Sequence, residues 1–168
     1  MDRSVAIANE FLRQPGGAAL TQMQLQKLVY MAHGWTLGIT GAPLTTDSPQ
    51  AWDYGPVYPD LYDHTKLFGR APIGREITTD DDEPARFFGR TRGQAAPYRA
   101  NLDATERSII NQVWARYGPI SGARLSSMTH QPNTPWSQIY DGGRNREIPN
   151  DLIQTHYREI AERVVTAH

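Results

Sequence analysis

The chain has 168 residues, with 17 Lys and Arg against 18 Asp and Glu, a formal net charge of −1 and no cysteine. That length suits one core without covalent staples, and the missing cysteines exclude disulfides and thiolate metal sites while fitting a reducing cytoplasm. Without a basic tail or stripe the electrostatic part of general nucleic-acid binding is lacking, and no apolar run approaches the roughly 20 residues of a membrane span.

The amino terminus has no basic run followed by an apolar core, so it is not read as a signal peptide. From Arg3 to Arg13, Val5, Ala8, Phe11 and Leu12 recur at helical spacing, with Asp2 as the expected cap and Pro15-Gly16-Gly17 as the stop. Thr21 and Gln24 have capping-box spacing, Leu25, Leu28, Val29 and Ala32 form one apolar face, and Gly38 and Gly41 are the expected stop. The densest stretch follows, Gln50-Ala51-Trp52-Asp53-Tyr54-Gly55-Pro56-Val57-Tyr58-Pro59. Three aromatic residues, two prolines and a glycine make it stiff and bulky, a loop built to hold a shape. Pro59 then suits the first turn of a helix ending near Gly69, with Leu61, Tyr62 and Thr65 inward.

Regular signals fail between Arg70 and Leu102, where either a small hairpin around Ile73 to Thr78 and Ala85 to Phe88 or an irregular insertion is expected. Order returns where Asp103 and Glu106 open a helix carrying Ile109, Ile110, Val113, Trp114 and Tyr117. Ser121 opens another through Leu125 and Met128, and Thr134-Pro135 a third with Trp136, Ile139 and Tyr140. Asn150 is the expected cap of the last, which carries Leu152, Ile153, Tyr157, Ile160 and Val164. The sum is a mainly α fold: a single compact domain over 1–168, of about six or seven helices with long loops and at most one small β-hairpin. Residues 74–101 form its variable part.

Little here suggests catalysis. There is no Gly-x-Ser-x-Gly, no Ser-x-x-Lys and no phosphate loop. Asp60 and His64 share a helix face at a spacing that can hold an ion, but without a second ligand pair a solvated helix pair explains them better, and no metal or cofactor is expected. His33 reads as a core residue more readily than as a general base. His130 reads as the end of a helix, where a protonated imidazole gains from the dipole. Trp35 and Trp136 suit a core. Trp52, Tyr54 and Tyr58 differ, because they sit among turn residues, which usually lie at the surface, where rigid aromatics anchor protein partners.

At these residues the chain resembles the Panacea, or SocA-like antitoxin, domain. The resemblance lies in Leu25-Gln26-Lys27-Leu28-Val29-Tyr30 with His33-Gly34-Trp35, in Gly41-Ala42-Pro43-Leu44, in Ala51-Trp52-Asp53-Tyr54-Gly55-Pro56-Val57, and in Leu125-Ser126-x-x-Thr129-His130 followed by Pro135-Trp136. It implies a bacterial or prophage-borne antitoxin, encoded beside a protein toxin that it neutralises by direct binding in the cytoplasm. Homo-oligomerisation and delivery to a cellular protease stay open, as does a protease adaptor or phage-borne regulatory protein without catalysis of its own. Exposure arguments place partner contacts at Lys27, Trp52, Asp53, Tyr54 and Tyr58, and, in the irregular segment, at Arg86, Arg90 and Arg92. Leu25, Leu28, Tyr30, His33, Trp35, Gly55, Pro56, His130 and Trp136 are expected to be structural. An enzymatic alternative needs His33, Asp53 and His130 to meet in one cleft.

Overall fold

The computed structural model describes residues 1–82 and 95–166. Among these are seven α-helices and one two-stranded sheet, a mainly α architecture. The first helix, α1 (Ser4–Leu12), has every residue buried, as a helix enclosed by its neighbours must. Asp2 does not cap it. The Asp2 amide donates to the Leu44 carbonyl at 3.1 Å, its own carbonyl accepts from Thr46, and its carboxylate accepts from the Asn101 amide. The free amide of Ser4 donates instead to Asp47, at 2.7 Å, so the cap arrives from a loop remote in sequence.

The central element is α2 (Gln22–Thr40). Its start is the expected box, in which the Thr21 amide donates to Gln24 Oε1 at 3.0 Å and the Gln24 amide to Thr21 Oγ1 at 3.3 Å. Gly41, at φ 78°, ends it. Gly38 is not part of the stop but lies inside the helix, where a Cβ would come within 2.9 Å of Tyr157.

β1 (Gln50–Trp52) and β2 (Gly55–Val57) pair antiparallel, Gln50 opposite Val57 and Trp52 opposite Gly55. The expected rigid loop is therefore itself a hairpin with Asp53-Tyr54 at its tip. No strand forms at 73–78, where Thr78 makes only an isolated bridge to Pro97, and 85–88 lies outside the described residues. The pairing there is short, the Tyr98 amide donating to the Ile77 carbonyl at 3.2 Å and the Thr79 amide to the Ala96 carbonyl at 3.0 Å, and Asn9 ties both sides to α1 by accepting from the Ile77 amide at 2.7 Å and donating to the Ile77 and Tyr98 carbonyls at 2.9 Å.

α3 (Pro59–Thr65) continues into a 3₁₀ turn over Lys66–Phe68. α4 (Ala104–Tyr117) opens with the Asp103 and Glu106 box, α5 (Gly122–Thr129) with Ser121 and α6 (Pro135–Ile139) with Thr134, all as the sequence implies. α7 (Asn150–Thr166) crosses α2. Tyr157 lies edge-on to Tyr30 and Trp35, with ring centroids 6.2 and 5.3 Å apart. α2 touches α1, α3, α4, α5, α7 and β2, so it is the axis of the core. No helix among the described residues is long and apolar enough to cross a membrane.

Candidate protein-interaction site

The hairpin is fastened to α2 by consecutive polar side chains. Gln26 treats the residue after β2 as a strand would, accepting from the Tyr58 amide at 2.8 Å and donating to the Tyr58 carbonyl at 3.1 Å. Lys27 Nζ donates to the Pro56 carbonyl at 3.1 Å. Lys27 is only 1% exposed, and burial pulls its pKa down to about 7. The surface contact expected of Lys27 is thus not what the fold presents: its ammonium is inside, beneath the hairpin. Tyr58 is likewise fully buried, its hydroxyl accepting from Thr45 Oγ1 at 3.3 Å. A residue after a tight turn is drawn inward here because the helix below supplies its backbone partners.

The far side of the hairpin rests on α5 and α6. Ser126 Oγ donates to the Tyr54 carbonyl at 2.7 Å, and Trp136 Nε1 to the Trp52 carbonyl at 2.7 Å. Gly55 sits at φ 108°, and a Cβ there would lie 2.6 Å from Thr129 Oγ1 and 2.9 Å from Lys27 Cε, so both conformation and space require glycine. His130, Trp136 and Tyr140 stack in a column with centroid spacings of 4.0 and 4.5 Å. Tyr140 closes it by donating to Asp53 at 2.6 Å.

What remains outward is small and fixed. Tyr54 is 66% exposed, Asp53 is exposed and Trp52 is half-buried. Trp52 meets Tyr62 edge-on at 5.0 Å, and the Arg144 guanidinium lies 4.7 Å from its ring centroid. Beside the tip runs a groove of about 610 Å³, between the first turns of α2, the hairpin, Tyr62 and the start of α5. Sequence reasoning missed Gln26, Ser126 and Arg144 as parts of this site. The first two lie in the Leu-Gln-Lys and Leu-Ser-x-x-Thr-His motifs, which signal importance but not a shared target. Arg144, beside Gly142-Gly143, gave no signal at all. Arg86, Arg90 and Arg92 lie outside the described residues.

Of the residues expected to be structural, Leu25, Leu28, Tyr30, His33, Gly55 and Pro56 are buried, and Trp35, His130 and Trp136 partly so. His33 Nδ1 accepts from the Leu44 and Thr45 amides at 3.3 Å each, which leaves Nε2–H to donate to Asn150 Oδ1 at 2.9 Å. Burial pushes its pKa down to about 4. Asn150 is therefore not the expected cap: it is the first residue of α7, and its side chain holds His33. His130 does end α5, but burial, with the Lys27 charge adding to it, lowers its pKa, so the protonated form expected at the helix end is disfavoured. His33, Asp53 and His130 occupy three different environments. His64 Nδ1 lies 2.7 Å from the Asp60 carbonyl and Nε2 2.7 Å from Asp82, and the described residues hold no group of three His, Cys, Asp or Glu fit for a metal.

This geometry coincides with a family signature. The model of the antitoxin SocA-like, Panacea domain family matches residues 25–137, from the start of the apolar face of α2 through the hairpin to α6. The chain belongs to this family. Antitoxin SocA of Caulobacter vibrioides (strain NA1000 / CB15N) is 29% identical over 161 residues, covering 91% of this chain and 81% of the relative. No solved structure matches. The family stretch holds Gln26, Lys27, Ser126 and Trp136, which bond the backbone of the hairpin and of Tyr58, while Tyr140, Arg144, α1 and α7 lie outside it. Membership supports an antitoxin role and a toxin partner.

Proposed function

We propose that this chain is a cytoplasmic antitoxin, without catalysis of its own, that neutralises a cognate protein toxin by binding it directly across the hairpin tip and the adjoining groove. The observation that carries this reading is the tip. Tyr54 stands 66% exposed while Gln26, Lys27, Ser126 and Trp136 hold the backbone around it. An aromatic side chain carried on a backbone that is already fixed has only its own two rotations to lose on association, which suits an interface anchor. Arg86, Arg90 and Arg92 supply further contacts in this reading.

The test is co-expression with the product of the neighbouring gene. That product is expected to be toxic alone, harmless with this chain, and to elute with it as a stoichiometric complex. Trp52→Ala and Tyr54→Ala variants with near-native thermal unfolding should lose protection. Full protection by both, or the absence of any stoichiometric protein partner, overturns the reading.

A further inference from the structure

The groove beside the hairpin carries a charge imbalance that the whole chain does not. The net charge is −1 overall, yet the exposed charges lining the groove are Arg70 and Arg144 against one acid, Asp53. Asp53 already accepts from the Tyr140 hydroxyl. Arg70 and Arg144 are exposed, and among the described residues neither reaches a carboxylate. Arg3, Arg13, Arg75 and Arg99, by contrast, are each paired with an acid. Arg144 is oriented by its place over Trp52, and a stacked guanidinium keeps its edge donors available in a fork that fits a carboxylate.

Between the cations the lining is apolar and aromatic: Met23, Val57, Trp52 and Tyr62. A volume of about 610 Å³ accepts several side chains of an inserted segment rather than a flat surface. We propose that the groove receives an extended acidic segment of the toxin, which seats an apolar or aromatic side chain against Trp52 and Tyr62 and places flanking carboxylates on Arg70 and Arg144. This rests on the toxin-binding reading above and specifies the chemistry of what is bound. A phosphate backbone would also pair with arginine, but a chain of net charge −1 lacks the wide basic surface on which nucleic-acid affinity depends.

The experiment uses the full chain with the toxin that co-purifies with it, and measures Kd for wild type, Arg70→Glu, Arg144→Glu, the two Gln variants and Tyr54→Ala. Each Glu variant is expected to weaken binding at least about tenfold, each Gln variant less, and added salt should weaken the wild-type complex. A cross-link from the groove should fall on an acidic stretch of the toxin, and reversing an acid there to Arg should restore binding to Arg70→Glu. Both arginines are exposed, so thermal unfolding should stay near native. Wild-type Kd in both Glu variants, with Tyr54→Ala still defective, overturns the acidic-segment assignment and leaves the toxin-binding reading standing. So does a cross-link to a neutral or basic stretch, or failure of the charge swap to restore binding. Recovery of nucleic acid in place of a protein, or of no partner, overturns both.

Discussion

The two halves of α2 are packed by opposite means. The first half meets the hairpin through polar groups, Lys27 bonding the Pro56 carbonyl of β2 and Gln26 the backbone of Tyr58 just after it. The second half meets α7 mainly through close contact, with Tyr157 lying where a side chain on Gly34 would be and a single side-chain bond from His33 to Asn150. Apolar contact supplies most of the stability but is tolerant of sliding, whereas a hydrogen bond to a buried carbonyl fixes a position. The helix therefore uses one half to hold the core together and the other to hold a recognition element in place.

The comparison breaks most visibly at Gly34. A Cβ there would lie 2.2 Å from Tyr157 Cε2, so Gly34→Val should cost about 3 kcal/mol or more, read as a loss of the native transition in urea unfolding. Gly55→Ala tests the other half. Its positive φ and the Thr129 contact should cost about 2 kcal/mol, and, unlike Gly34→Val, should disturb partner binding in the molecules that remain folded.

The pH dependence of stability separates the halves by their buried bases. Lys27 has an ordinary pKa of 10.5 and about 7 when folded. Across that window the unfolded chain holds a proton the folded chain lacks, so stability should rise with pH, and Lys27→Met should remove the rise. His33 falls from 6.5 to about 4, so stability should be lost as pH drops through that range, less so in His33→Gln. Both are read as urea midpoints across pH.

Smaller effects sharpen the division. Trp136→Phe removes the bond to the Trp52 carbonyl and should cost about 1 kcal/mol, measured by thermal unfolding. Tyr54→Ala, at an exposed tip, should change stability by less than about 0.5 kcal/mol while weakening toxin binding at least about tenfold. A Tyr54 variant that loses stability instead would place that ring in the fold rather than the interface.

Much of this was legible locally. Capping boxes at Thr21 and Asp103 and the openings at Ser121 and Thr134 read correctly because a cap is made by residues three apart in sequence. Asp2 misled because its backbone was taken by Leu44 and Thr46, and Asp47 supplied the cap. Of the two readings of 73–88, a small hairpin or an irregular insertion, 73–78 forms no strand and 85–88 lies outside the described residues, while a hairpin stands at 50–57, where prolines and aromatics hide the short strands. Tyr58 and Lys27 were expected outside because turn residues and lysines usually are, a tendency that tertiary hydrogen bonding overrode.

By itself the sequence determined the helices, the starts of α2, α4, α5 and α6, the mainly α class and the family, because each depends on near neighbours or on a motif. Tertiary structure alone decided that Gln26, Lys27, Ser126 and Trp136 converge on one hairpin, that Tyr54 rather than Tyr58 faces outward, and that Arg70 and Arg144 share a groove. These depend on which distant carbonyls need donors and which cations find no acid, and spacing along the chain encodes neither.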